Sequence, residues 1–194
     1  MHKRDFLKHS AALLGTAAAV PLRTSELAVR KPIVLAICDD RYAPARQFGS
    51  RLATSGTRVS ASAQNVIASW AREAHAFQTP GAWRIAGMTR HSDFELLKQC
   101  AASVRLRSVF ECIHDAREPG VLTHVVRARG DDTDIGETLK AARQDWPATL
   151  AETLRSAEFA GRWSSRRRIR IQAASASERP GTLISFVFGQ RAEV

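Results

Sequence analysis

Between residues 33 and 103 a short β-prone run gives way three times to residues spaced for one face of a helix, and this alternation constrains the fold more than any other feature. Ile33-Val34-Leu35-Ala36-Ile37-Cys38 is continuously apolar, the pattern of a strand covered on both faces, and Asp39-Asp40 closes it. Tyr42, Ala45, Phe48 and Leu52 then recur at helical spacing as far as Ser55-Gly56, whose glycine suits a helix stop. Residues 57–62 lean towards β structure, and Asn65 is placed to cap a helix with Ile67, Trp70, Ala71, Ala74 and Phe77 on one face. The third unit starts at Trp83, its apolar run breaking at Gly87. Ser92 and Glu95 have the spacing of a capping box, which predicts a helix from about Asp93 and a loop holding Thr89, Arg90 and His91. Three such units call for parallel strands with helices on both faces.

The second half changes character. Two strand-like runs, Leu106 to Ile113 and Leu122 to Arg129, flank the turn signal Pro119-Gly120 and predict an antiparallel hairpin. Asp134 with Glu137 reads as a helix start. Helical spacing follows through Leu139, Ala142, Leu150 and Leu154, interrupted at Trp146-Pro147, where proline should open a new helix or kink the old one. Ile169 and Ile171 alternate with Arg168, Arg170 and Gln172, the pattern of an edge strand, whereas Leu183 to Phe188 is apolar enough to lie inside the sheet. The expectation is one three-layer α/β domain over residues 31–194, with a mixed, mainly parallel sheet flanked by helices and antiparallel C-terminal strands.

A chain of 194 residues with 44% apolar and 25% charged residues matches ordinary globular usage, and its length suits one core. The formal charge is +10, and Lys3, Arg4, Lys8 and Arg23 against Asp5 and Glu26 leave about +8 beyond residue 28. Arginine supplies most of the excess, which favours an acidic partner, a small anion or an anionic membrane surface. The basic residues lack the interleaved aromatics of a base-stacking platform, so no nucleic-acid partner is expected.

Residues 1–30 read as a leader and linker. A basic opening precedes Ala11 to Pro21, an Ala- and Leu-rich run too short to span a bilayer, and Ala17-Ala18-Ala19 supplies a small-x-small pattern for cleavage after Ala19. Lys3-Arg4-Asp5-Phe6-Leu7-Lys8 resembles the twin-arginine translocation consensus, with Lys3 where that consensus has its first arginine. The resemblance implies export of a folded chain by the twin-arginine translocase, a periplasmic address in a Gram-negative cell and a co-exported or periplasmic protein partner. No later stretch is long and apolar enough to anchor the cleaved chain.

Arg90 and His91, beside the predicted helix start, define the best-motivated ligand site: with Thr89 and Ser92 they combine helix amides, a guanidinium and an imidazole suited to a small anion. Cys38, Asp39, Asp40 and His114 are secondary candidates. Ile33 to Asp40 with its helix resembles the opening of a phosphoacceptor receiver domain, but Gly87, Met88 and Thr89 stand where a receiver has its phosphoacceptor aspartate. His91, His114, His124, Asp39 and Asp40 would gather at one sheet edge, yet their spacing carries no metal signature, so neither a metal nor another cofactor is expected. The glycines form no P-loop, and no G-x-S-x-G elbow occurs. Cys38, Cys100 and Cys112 lie in apolar elements and read as buried thiols, with Cys100 and Cys112 the pair that an oxidising compartment would permit to bond. The expected function is a non-catalytic binding or accessory protein for another extracytoplasmic component. The alternative is a small hydrolase or metal-dependent enzyme using Asp39, Asp40, His91 and Cys38.

Overall fold

The computed structural model describes residues 31–62, 65–73, 83–130, 133–172 and 181–190; the leader therefore lies outside the described residues. In chain order the elements are β1 (Ile33–Cys38), α1 (Ala43–Ala53), β2 (Arg58–Ala61), α2 (Val66–Glu73), β3 (Arg84–Arg90), α3 (His91–Ser103), β4 (Leu106–Asp115), β5 (Val121–Ala128), α4 (Thr133–Ala142), a 3-10 turn (Arg143–Asp145), α5 (Trp146–Ser156), β6 (Arg167–Gln172) and β7 (Thr182–Gln190). The predicted order of elements is observed. Asn65 accepts from the amide of Ala68 as the N-cap of α2, and α5 opens at Trp146-Pro147.

One mixed sheet runs β2-β1-β3-β7-β4-β5-β6. β1 pairs in parallel with β2 and β3, and the remaining pairings are antiparallel, so parallel pairing is confined to the N-terminal half and does not dominate the sheet. The reason is the last strand. β3 and β4 point the same way with room for one strand between them, and β7, buried from Leu183 to Gly189, fills the gap antiparallel to both. The expected hairpin is β4–β5, and β6 is the expected edge strand.

Helices cover both faces. Phe48 and Leu52 of α1, Leu139 of α4 and Leu150 and Leu154 of α5 pack with Ala86, Met88, Phe110, Val126 and Val187 on one side. On the other, Trp70 of α2 and Phe94 and Leu97 of α3 pack with Leu35, Ile37, Ile85, Phe186 and Phe188.

Two local expectations are corrected in the third unit. Gly87 does not end the strand: it sits mid-way along β3, where a Cβ would lie 2.3 Å from Phe186 Cζ and 2.4 Å from the Ile37 carbonyl oxygen. Glycine is there because the Phe186 ring occupies the space over it. The capping box is not formed either. Arg90 is the N-cap residue and α3 starts at His91, while Ser92 Oγ lies 3.5 Å from Asp93 and Glu95 turns to Lys98 at 2.9 Å. The loop predicted between strand and helix is absent.

Candidate functional site

At the carboxyl edge of β1 and β3 the predicted anion site is occupied by the protein's own carboxylates. Asp39 is buried and accepts two bonds from the Arg41 guanidinium, at 2.8 and 2.6 Å. Arg90 lies 3.6 Å from Asp39 and 3.4 Å from Asp93. Burial pushes the Asp39 pKa up, but the Arg41 hydrogen bonds and the charges of Arg41 and Arg90 outweigh it and leave the carboxyl below its usual range. Two guanidiniums thus meet two carboxylates, so a free anion would have to compete with both for Arg90. Thr89 is buried with its hydroxyl directed to the Arg90 carbonyl; His91 and Ser92 are exposed on the first turn of α3, and Asp40 is exposed.

The other candidates do not join this edge. Cys38 is buried with Sγ facing Gly49 of α1, and burial pushes its thiol up to about 12, whereas His91 stands in solvent, so the thiol–imidazole pair of the enzyme alternative is not assembled. Asp39 alternates with Ile37 towards α3, while His114 packs against Trp146 of α5 on the opposite face. The expected gathering of His91, His114, His124, Asp39 and Asp40 is therefore split between two layers. Cys100 and Cys112 also lie on opposite faces of the sheet and are free thiols.

What the sheet does assemble is a buried polar cluster. The β4–β5 register sets His114 opposite His124, and Cys112 lies one same-face position along β4. The two Nδ1 atoms are 2.6 Å apart, Cys112 Sγ is 3.7 Å from His114 Nδ1, and His114 Nε2 is 2.8 Å from Ser185 Oγ on β7. The Trp146 ring lies 4.2 Å from the His114 ring centroid and 4.9 Å from that of His124. Burial holds both imidazoles below their usual pKa, His124 at about 4, and at His114 the charge of a protonated His124 would lower it further. Burial also raises the Cys112 thiol.

A third feature lies on the α2–α3 side of the sheet. These helices pack over β1, β3, β7 and the near part of β4. Beyond them Ile113, Thr123, Val125 and Arg127 are only partly buried, and Arg168 and Arg170 are exposed. A cleft of about 350 Å³ here is lined by Lys98, Arg107, Glu111, Arg127, Arg129 and Trp163, among others. The guanidiniums of Arg127 and Arg129 lie 4.5 and 5.7 Å from the Trp163 ring centroid. Such stacking fixes a guanidinium plane while leaving edge N–H groups to meet a carboxylate.

Neither the histidine pair nor the cleft was isolated from the sequence, although one signal for the first was present. His114 and His124 stand five residues on either side of Pro119, so a hairpin turning there makes them partners. The cleft had no such signal, because Trp163 reaches β5 through a lone bridge to Arg129 from outside any strand.

No protein-family model, curated protein or solved structure matches this chain, so its functional reading rests on its own residues.

Proposed function

We propose that this chain is an exported, non-catalytic accessory protein that docks an acidic surface of another extracytoplasmic component through the open face of β4, β5 and β6. The observation that carries the reading is the group of arginines on that face: Arg127 at the end of β5 and Arg129 just beyond it, both against Trp163, and Arg168 and Arg170 on β6. Glu111, opposite Arg127, and Glu118, bonded to Arg170 at 2.7 Å, offset only part of their charge. Rim charges of this kind steer association and confer salt dependence more than they add affinity. The arrangement of Lys3-Arg4 before Phe6-Leu7-Lys8 supports the export half of the reading.

The test uses poly-glutamate as the acidic probe. Binding at low salt should weaken as salt rises, and the triple variant Arg127→Glu, Arg168→Glu, Arg170→Glu should bind at least tenfold more weakly. A control of equal net charge, Arg46→Glu, Arg72→Glu, Arg143→Glu, should retain most of the affinity. If both variants lose binding equally, net charge rather than this face is responsible and the docking reading fails. If a reporter carrying residues 1–30 still crosses the membrane in cells lacking the twin-arginine translocase, the assigned export route fails.

A further inference from the structure

Cys112, His114 and His124 are each at most 2% exposed, and their ligand atoms all lie within 4.8 Å of one another. A cluster of two imidazoles and a thiol inside an apolar layer is costly unless its polar atoms are satisfied. Here they are not. The two Nδ1 atoms face each other with one proton between them whichever ring carries it, and His114 Nε2 is taken by Ser185; among the described residues His124 Nε2 is buried without a hydrogen-bond partner, which a metal on Nδ1 would not change, so the Nδ1 pair and the thiol carry the case for the site. An apolar pair at these facing positions would avoid that cost.

We propose that Cys112 Sγ, His114 Nδ1 and His124 Nδ1 form a site for one monovalent copper ion, distinct from the basic face and independent of the docking reading. Donor softness supports it: thiolate and imidazole suit copper and zinc, whereas hard oxygen-seeking cations find no carboxylate in the cluster. Geometry supports it as well. A metal about 2.1 Å from nitrogen and about 2.3 Å from sulfur separates its three ligands by about 3.5 to 3.8 Å in a trigonal plane. The Sγ to His114 Nδ1 distance of 3.7 Å already fits, and the Nδ1 pair would open from 2.6 Å by about an ångström through side-chain rotation. Ser185 Oγ then accepts from His114 Nε2–H and holds the ring with Nδ1 towards the metal, the usual support for a ligating histidine.

Charge selects the ion. On binding, Cys112 gives its thiol proton to solvent and both histidines coordinate as neutral rings. One thiolate with Cu(I) is neutral, whereas the same set with Zn(II) carries a net positive charge that this apolar layer, packed by Trp146, Val126 and Leu150, would have to bury.

The full chain is offered Cu(I) anaerobically, both as native protein and during refolding from denaturant, against a colorimetric Cu(I) chelator, with Zn(II) in parallel. The expected result is about one copper retained per chain by either route, quenching of tryptophan emission from Trp146, and at least a tenfold loss of affinity in Cys112→Ala with little change in Cys38→Ala. X-ray absorption on loaded wild type should show one sulfur and two nitrogen ligands, which tests the site even if Cys112→Ala does not fold. Absence of copper by both routes, retention by folded Cys112→Ala, a ligand shell without sulfur, or tighter retention of zinc would each overturn the assignment. In the first case the cluster is a hydrogen-bonded part of the core and nothing more.

Discussion

Asp39 has no solvent exposure, yet it holds its charge because Arg41, two residues along, folds back on it with two hydrogen bonds and Arg90 approaches from β3. Its folded pKa lies below the unfolded value of about 3.9, so the stability it contributes is complete above that pH and is lost as pH falls through the folded value. The stability difference between wild type and Asp39→Asn should therefore be constant from pH 7 to about 5 and narrow below about 4. Urea unfolding at a series of pH values measures it, and a difference that stays level down to pH 2.5 would show that the Arg41 pair contributes nothing. Gly87 is a second residue whose neighbours decide its role. Gly87→Ala places a methyl group into the Phe186 ring and the Ile37 carbonyl at once, and because the backbone oxygen cannot rotate away the cost should be about 2 to 3 kcal/mol by thermal or chemical unfolding.

Arg84 shows how one element is fixed to another. It is buried at the start of β3, and its guanidinium donates to the carbonyls of Lys31, Arg155 and Ala157 at 2.6, 3.0 and 2.8 Å. The last two lie at the C-terminus of α5, where carbonyls have no intrahelical partner. Burial lowers its pKa, but not enough to prevent a guanidinium from remaining charged. Arg84→Met keeps most of the volume and removes the donors, so it should destabilise the protein by about 2 to 4 kcal/mol, with amide exchange rising at the end of α5. Exchange that rises uniformly across the chain, or a cost under half a kilocalorie, would mean that α5 is held by its apolar face alone. A C-terminal helix charge of this sort was invisible in the sequence, since nothing near Arg84 in the chain predicts a partner some seventy residues away.

Across the whole molecule, the contrast between interior and edge gives the simplest test of the sheet. Leu35 is fully buried in β1, whereas Arg170 on β6 is exposed and, among the described residues, paired with the exposed Glu118. Leu35→Ala should cost about 2 to 5 kcal/mol, and Arg170→Ala less than about 1 kcal/mol. Equal and small shifts in the unfolding midpoint would contradict this placement of the strands.

The sequence by itself determined which segments are strands and which are helices. The apolar run from Ile33 to Cys38, the alternation at Ile169 and Ile171, and Pro147 at a helix start are local signals, and periodicity and proline act locally. It also placed the hairpin, because Pro119-Gly120 marks the turn within the segment that turns. Tertiary structure alone decided that β7 lies between β3 and β4, which reduces the share of parallel pairing, since strand order depends on where room is left. It also decided the sites. Arg90 looked free because Asp39 and Asp93 approach it from β1 and α3 only after folding, and the capping box gave way once β3 ran straight into α3. His114 and His124 became a pair through strand register, and Ser185 joined them across the last strand to enter the sheet. Burial and pairing are properties of neighbours, and for these residues the neighbours are distant in the chain.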